Sequence, residues 1–100
     1  DLVGHQNHGT GEAGEPPGQG FDLGFGIAPG GHLPVNTNGG GLSCVHPGMY
    51  GIFTLVEAVR QLRGDAGDRQ IDGAELAMAH GNGGVLSSQV TNILGTESTL

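Results

Sequence analysis

The chain has one hundred residues, Lys+Arg 3 against Asp+Glu 10 and a net charge of -7, which fits one small acidic domain or part of a larger one. No basic patch is available for nucleic acid or an anionic membrane, the single cysteine excludes an internal disulfide, and three Phe with one Tyr leave an independent core small. No apolar run approaches the roughly 18–20 residues of a membrane span and no signal peptide opens the chain, so a cytoplasmic protein is expected.

Residues 1–31 form a Gly/Pro-rich irregular connector. Gly9-Thr10-Gly11-Glu12-Ala13-Gly14 has no apolar period, and Pro16-Pro17 forbids regular structure. His5 and His8 stand three apart, but no cysteine or third clustered ligand accompanies them, so no metal site is expected. Phe21, Leu23, Phe25 and Ile27 alternate with small or polar residues, a pattern able to pin an irregular extended segment to a core.

Pro29-Gly30-Gly31 is a turn, and Leu33–Thr37 reads as a short strand that Pro34 confines to an edge or to its own start. Gly39-Gly40-Gly41 then allows positive φ or close backbone approach, which suits either a flexible loop or a shaped site loop. A helix is expected over 47–63. Pro47 suits its first position, and Ile52, Leu55, Val56, Val59 and Leu62 follow the spacing of a buried stripe. Phe53 and Ala58 widen the apolar surface, so neighbours are expected on more than one side. Glu57 and Arg60 fall on another face and read as solvated charges, while Gly64 supplies the left-handed cap.

Residues 74–80 read as a buried strand, although their alanines fit a helix better by propensity; His80–Gly84 reads as a tight glycine turn and Val85–Leu94 as a final strand reached by a hairpin-like turn. Strand–helix–strand order implies a parallel crossover unit. In that arrangement His46, before the helix, and His80, at the end of the next strand, reach one crevice. The helix dipole would favour a neutral His46 able to accept a proton. Two histidines in a glycine-rich pocket suit proton transfer and oxyanion stabilisation, although both also fit plain turn positions.

Asn36-Thr37-Asn38-Gly39-Gly40-Gly41-Leu42-Ser43 followed by His46-Pro47 resembles the Asn-x-x-Gly-Gly-x-x-Ser-x-Gly-His-Pro block of thiolases. Val56–Gln70 is similar to the helix and connection that follow in the lipid-transfer-protein (sterol carrier protein X-like) branch. His80-Gly81-Asn82-Gly83-Gly84 resembles the glycine turn where other thiolases carry a second reactive cysteine. Three blocks in order cover about residues 30–95.

The resemblance implies an α/β fold, the last part of the C-terminal half of a thiolase: strand-helix-strand-strand around the helix at 47–63, with the thiolase-like segment at 32–96 and a tail at 97–100. It implies Claisen condensation or thiolytic cleavage of acyl-CoA thioesters, with coenzyme A thioester as substrate and no bound cofactor. His46 takes the role of the base that activates a nucleophilic cysteine. His80 exchanges a proton with the substrate α-carbon, and the turn at Asn82 and Gly83 contributes to an oxyanion hole. Asn36, Ser43 and Cys44 line the site. The nucleophile belongs to an N-terminal half that these residues do not include, and Cys44 lies in the wrong block to replace it. A missing half or partner chain, and an oligomer in the parent enzyme, are therefore expected, and these residues alone are expected to be inactive. Val45 stands where Gly usually precedes His-Pro, and Cys44 where retro-aldolase members acting on steroid side chains favour Tyr. A non-catalytic acyl-CoA-binding or assembly module, or a piece of such an aldolase, are the other readings.

Overall fold

A computed structural model describes residues 2–7, as backbone only, together with 26–45 and 48–100. The alternating residues Phe21, Leu23 and Phe25, His8 with the His5 side chain, and the His46-Pro47 pair lie outside the described residues.

Among the described residues the fold is carried by β1 (Leu2–Asn7), α1 (Tyr50–Arg63), β2 (Ala74–Gly83) and β3 (Ser88–Gly95). The sheet has order β1-β2-β3 and both pairings are antiparallel. The expected parallel crossover is therefore corrected. Its first strand does not form, because Pro34 lacks a donor and Asn36 turns to φ 53, which breaks an extended run. Instead the segment folds back on itself, with Leu33 N–H donating to Gly26 O at 2.9 Å and Val35 N–H to Ile27 O at 2.9 Å. A strand inside the supposedly irregular 1–31 region, β1, takes the place beside β2, with Val3 opposite Ala79.

The helix begins at Tyr50, three residues beyond Pro47, and ends as expected: Gly64 sits at φ 75 and donates to Arg60 O and Gln61 O. Arg60 and Arg63 occupy the last turn, where the dipole favours cations. Its orientation is the main surprise. The buried face is Tyr50, Thr54, Glu57, Ala58 and Gln61. Of the expected apolar stripe, Leu55 and Leu62 pack against the core of Ala58, Ala77 and Ala79, with Leu94 beside them. Ile52 and Val56 remain 54% and 42% exposed, and Phe53 and Val59 are exposed as well. Three alanines at the centre let helix and sheet approach closely, so the core is small and the helix keeps a second apolar side uncovered by described residues.

β2 runs through the expected glycine turn as far as Gly83, and the reversal falls at Gly84–Ser87, where Gly84 and Leu86 adopt φ 61 and 57. Beyond β3, Thr96 N–H donates to Glu75 O at 3.0 Å, tying the tail to the sheet. Among the described residues no helix is long and apolar enough to cross a membrane.

Candidate functional site

Backbone contact brings the His80–Gly84 block against the start of α1. A Cβ built at Gly81 would meet Gly51 Cα at 3.9 Å, so β2 lies against the first turn of α1. Strand alternation fixes which side chains share that face. Ala77 and Ala79 are buried under the helix, and Gly81 continues their row. His80 therefore belongs to the opposite face, opposite Thr91 on β3.

There His80 Nδ1 lies 2.8 Å from Thr91 Oγ1 and Nε2 3.3 Å from Asn82 Oδ1. An amide oxygen only accepts, so Nε2 carries the proton, and in the neutral ring Nδ1 accepts from the Thr91 hydroxyl. Asn82 and Gly83, expected in a turn, pair with Gln89 and Ser88 in the β2–β3 ladder. His46 lies outside the described residues, so the structure gives no distance between the two histidines.

The loop before α1 is shaped by its own side chains. Asn38 Oδ1 accepts from Gly40 N–H at 2.9 Å and from the Tyr50 hydroxyl at 3.4 Å. Ser43 Oγ lies 2.7 Å from Asn38 O and 2.9 Å from Gly40 O, and Gly39 and Gly40 take φ 92 and 73. At Gly39 a Cβ would clash with Ser43 at 2.9 Å, which is a direct reason for glycine there. Cys44 is a half-buried free thiol with Sγ 3.7 Å from Ser43 Oγ. Asn36 Oδ1 is buried without a hydrogen-bond partner among the described residues. Asn36, Ser43 and Cys44 thus share one loop.

A polar cluster under the helix was not legible as a site. Glu57, expected in solvent, is only 3% exposed. Its Oε1 accepts from Thr37 Oγ1 at 2.8 Å and Gln61 Nε2 at 3.1 Å, and its Oε2 accepts from Arg69 Nη2 at 2.9 Å. Burial by itself would push the Glu57 carboxyl up, but hydrogen bonds from Arg69, Gln61 and Thr37 and the Arg69 charge together hold it below its ordinary value. The same carboxylate raises Arg69. Gln61 is fully used as well: Nε2 donates to Arg69 O at 2.8 Å and Oε1 accepts from Ile71 N–H at 2.8 Å. The signal was present in the spacing, since Tyr50, Thr54, Glu57, Ala58 and Gln61 repeat with the helical period as faithfully as the apolar stripe does.

Residues 5–96 match the family described as Thiolase C-terminal domain-like. Over 64 residues the chain is 45% identical to an acetyl-CoA acetyltransferase of Methanothermobacter thermautotrophicus, which covers 63% of this chain and 17% of the relative. Over 55 residues it is 44% identical to sterol carrier protein 2 of Homo sapiens and of Oryctolagus cuniculus, covering 54% of this chain and 10% of each relative. It thus spans less than a fifth of the length of these curated relatives. No solved structure matches the chain. The helix, the β2–β3 hairpin and the glycine loop described above all fall within the matched region, and the chain belongs to the thiolase C-terminal domain-like family.

Proposed function

We propose that these residues supply part of an acyl-CoA acyltransferase site whose nucleophilic cysteine lies on polypeptide outside them. In this reading His46 accepts the cysteine proton. The thiolate attacks the thioester carbonyl, the bond to the coenzyme A sulfur breaks, and the departing thiolate takes the proton back. His80 exchanges a proton with the α-carbon, and the backbone at Asn82 and Gly83 faces the developing oxyanion. The observation that carries the reading is the contact of Gly81 with Gly51, which sets the strand bearing His80 against the helix turn that follows the His-Pro block. The uncovered stripe of Ile52, Phe53, Val56 and Val59 is the surface on which further polypeptide would pack.

The test grafts this chain in place of the matching segment of the Methanothermobacter acetyl-CoA acetyltransferase and follows coenzyme A-dependent cleavage of acetoacetyl-CoA. Turnover is expected, falling by about a hundredfold or more in His46→Ala and in His80→Ala. A folded chimera without turnover rejects the proposal.

One observation favours a second reading, a binding or assembly module. Both His80 nitrogens are engaged by Thr91 and Asn82 on the sheet face away from α1. Under that reading the chimera binds acyl-CoA, does not turn over, and tolerates His80→Ala.

A further inference from the structure

The acyl-transfer reading makes no use of the buried cluster under α1, which joins three segments of the chain. The Asn38–Cys44 loop holds Gly39, Gly40 and Gly41 in succession, a backbone with many alternatives open to it. It is nonetheless fastened to one helix face at two points two turns apart. The Tyr50 hydroxyl reaches Asn38 Oδ1 at 3.4 Å, and Thr37 Oγ1 donates to Glu57 Oε1 at 2.8 Å.

The Glu57 end of that second link is fixed independently of the loop. Arg69 Nη2 holds Oε2 at 2.9 Å, Gln61 Nε2 holds Oε1 at 3.1 Å, and Gln61 in turn holds Arg69 O at 2.8 Å. The helix and the 67–71 connection therefore set the carboxylate, and the carboxylate sets the loop. Within the loop the restraint continues: Asn38 holds Gly40 N–H, and Ser43 bridges Asn38 O and Gly40 O next to Cys44.

We propose that Glu57 is a positioning residue for the Asn38–Cys44 loop, anchoring it on α1 through Thr37 so that the loop meets the start of the helix in one arrangement. The bearing of this anchor on acyl transfer rests on the function proposed above; the anchoring does not.

Cys44 is the single cysteine of the chain and sits half-buried at the far end of the loop, so a change in its rate of labelling by a disulfide reagent reports a change in how the loop is held. In the 100-residue chain, Thr37→Val and Glu57→Leu are each expected to raise the Cys44 labelling rate about tenfold. The double variant should label no faster than the faster single, because the Thr37–Glu57 bond is already lost in either one. Thr54→Val provides the comparison. That side chain is also buried but, among the described residues, bonds to Gly51 O within the helix, so the rate should stay at wild type. Folded Thr37→Val with an unchanged rate overturns the proposal, and so does an equal rise in Thr54→Val.

In the chimeric acyltransferase, Thr37→Val is expected to lower kcat while KM for acetoacetyl-CoA stays within about twofold. A loss carried by KM alone counts against positioning. A chimera that never turns over rejects the acyltransferase reading and leaves the labelling result to decide the anchor.

Discussion

Gly81 on β2 and Gly51 in the first turn of α1 approach so closely that a Cβ on the strand residue would lie 3.9 Å from the helix Cα. One carbon at that distance is an ordinary van der Waals contact, whereas the two branches of a valine add bulk toward the helix backbone. Gly81→Ala should therefore change stability by less than about 0.5 kcal/mol, whereas Gly81→Val should cost about 1–3 kcal/mol by pushing helix and strand apart. Urea unfolding of the two variants checks this. Equal stabilities would show that the helix start is not seated on β2.

The Glu57–Arg69 pair predicts an acid limb. Glu57 titrates below its ordinary value in the folded state, so it binds a proton more weakly when folded than when unfolded. Its contribution is therefore fully present above the ordinary carboxylate range, about pH 4–5, and is lost as pH falls through the lowered folded value. The Arg69 side chain is 43% exposed and solvent screens part of the attraction, so Glu57→Gln should cost about 1–3 kcal/mol at pH 7. The cost should shrink on acidification, and denaturant midpoints from pH 7 to 3 would reveal it. A cost that stays constant to pH 3 would remove the charge from the account.

What was legible in the sequence follows from which signals are local. The helix at Tyr50–Arg63, its Gly64 cap and the hairpin returning along Ser88–Gly95 are written in periodicity and turn residues, and all three form. The pairing partner of β2 was not legible. Leu2–Asn7 holds only two apolar side chains in a glycine- and histidine-bearing run, and strand pairing is decided by tertiary context. The outward turn of the helix was misread for a different reason. Hydrophobic periodicity identifies a face that needs cover, and in a chain spanning 17% of its acetyltransferase relative that cover need not come from the same residues. Glu57 and Gln61 go inward because Thr37, Arg69 and the Ile71 N–H meet them there, partners 10 to 20 positions away that no spacing rule reveals. For the site, Asn36, Ser43 and Cys44 lie in the segment before α1, where the Ser43 hydroxyl is held by Asn38 O and Gly40 O. The parallel pairing from which a shared crevice was expected is replaced by antiparallel ladders among the described residues, and His46 lies outside them.

The His80 hydrogen bonds predict a tautomer. With Asn82 Oδ1 accepting from Nε2 and the Thr91 hydroxyl donating to Nδ1, the neutral ring should carry its proton on Nε2. Nitrogen-15 chemical shifts at pH 8 distinguish the two ring nitrogens directly. Thr91→Val should shift the Nδ1 resonance and leave the Nε2 proton in place. A ring protonated on Nδ1 would mean that Asn82 presents its amide nitrogen instead, and the arrangement as an acid at Nε2 would be lost.

The two sides of α1 make opposite predictions for substitutions only two positions apart. Val56 is 42% exposed on the uncovered stripe, while Ala58 is fully buried against Ala77 and Ala79. A charge at position 56 meets water, so Val56→Glu should alter the stability of the isolated chain by no more than about 0.5 kcal/mol. It also interrupts the apolar run from Ile52 to Val59, and should reduce self-association in sedimentation experiments. At position 58 even an apolar change is costly. Leu in place of Ala must displace the alanine floor of β2, for about 1–3 kcal/mol or loss of the cooperative transition. The apolar stripe read from the sequence places Val56 at its centre, so on periodicity alone Val56→Glu would be the change that unfolds the chain. Thermal unfolding of the two variants therefore decides which face of the helix lies on the sheet, and the same pair in the chimeric enzyme should invert at position 56, where added polypeptide would bury the glutamate and make it the more damaging change.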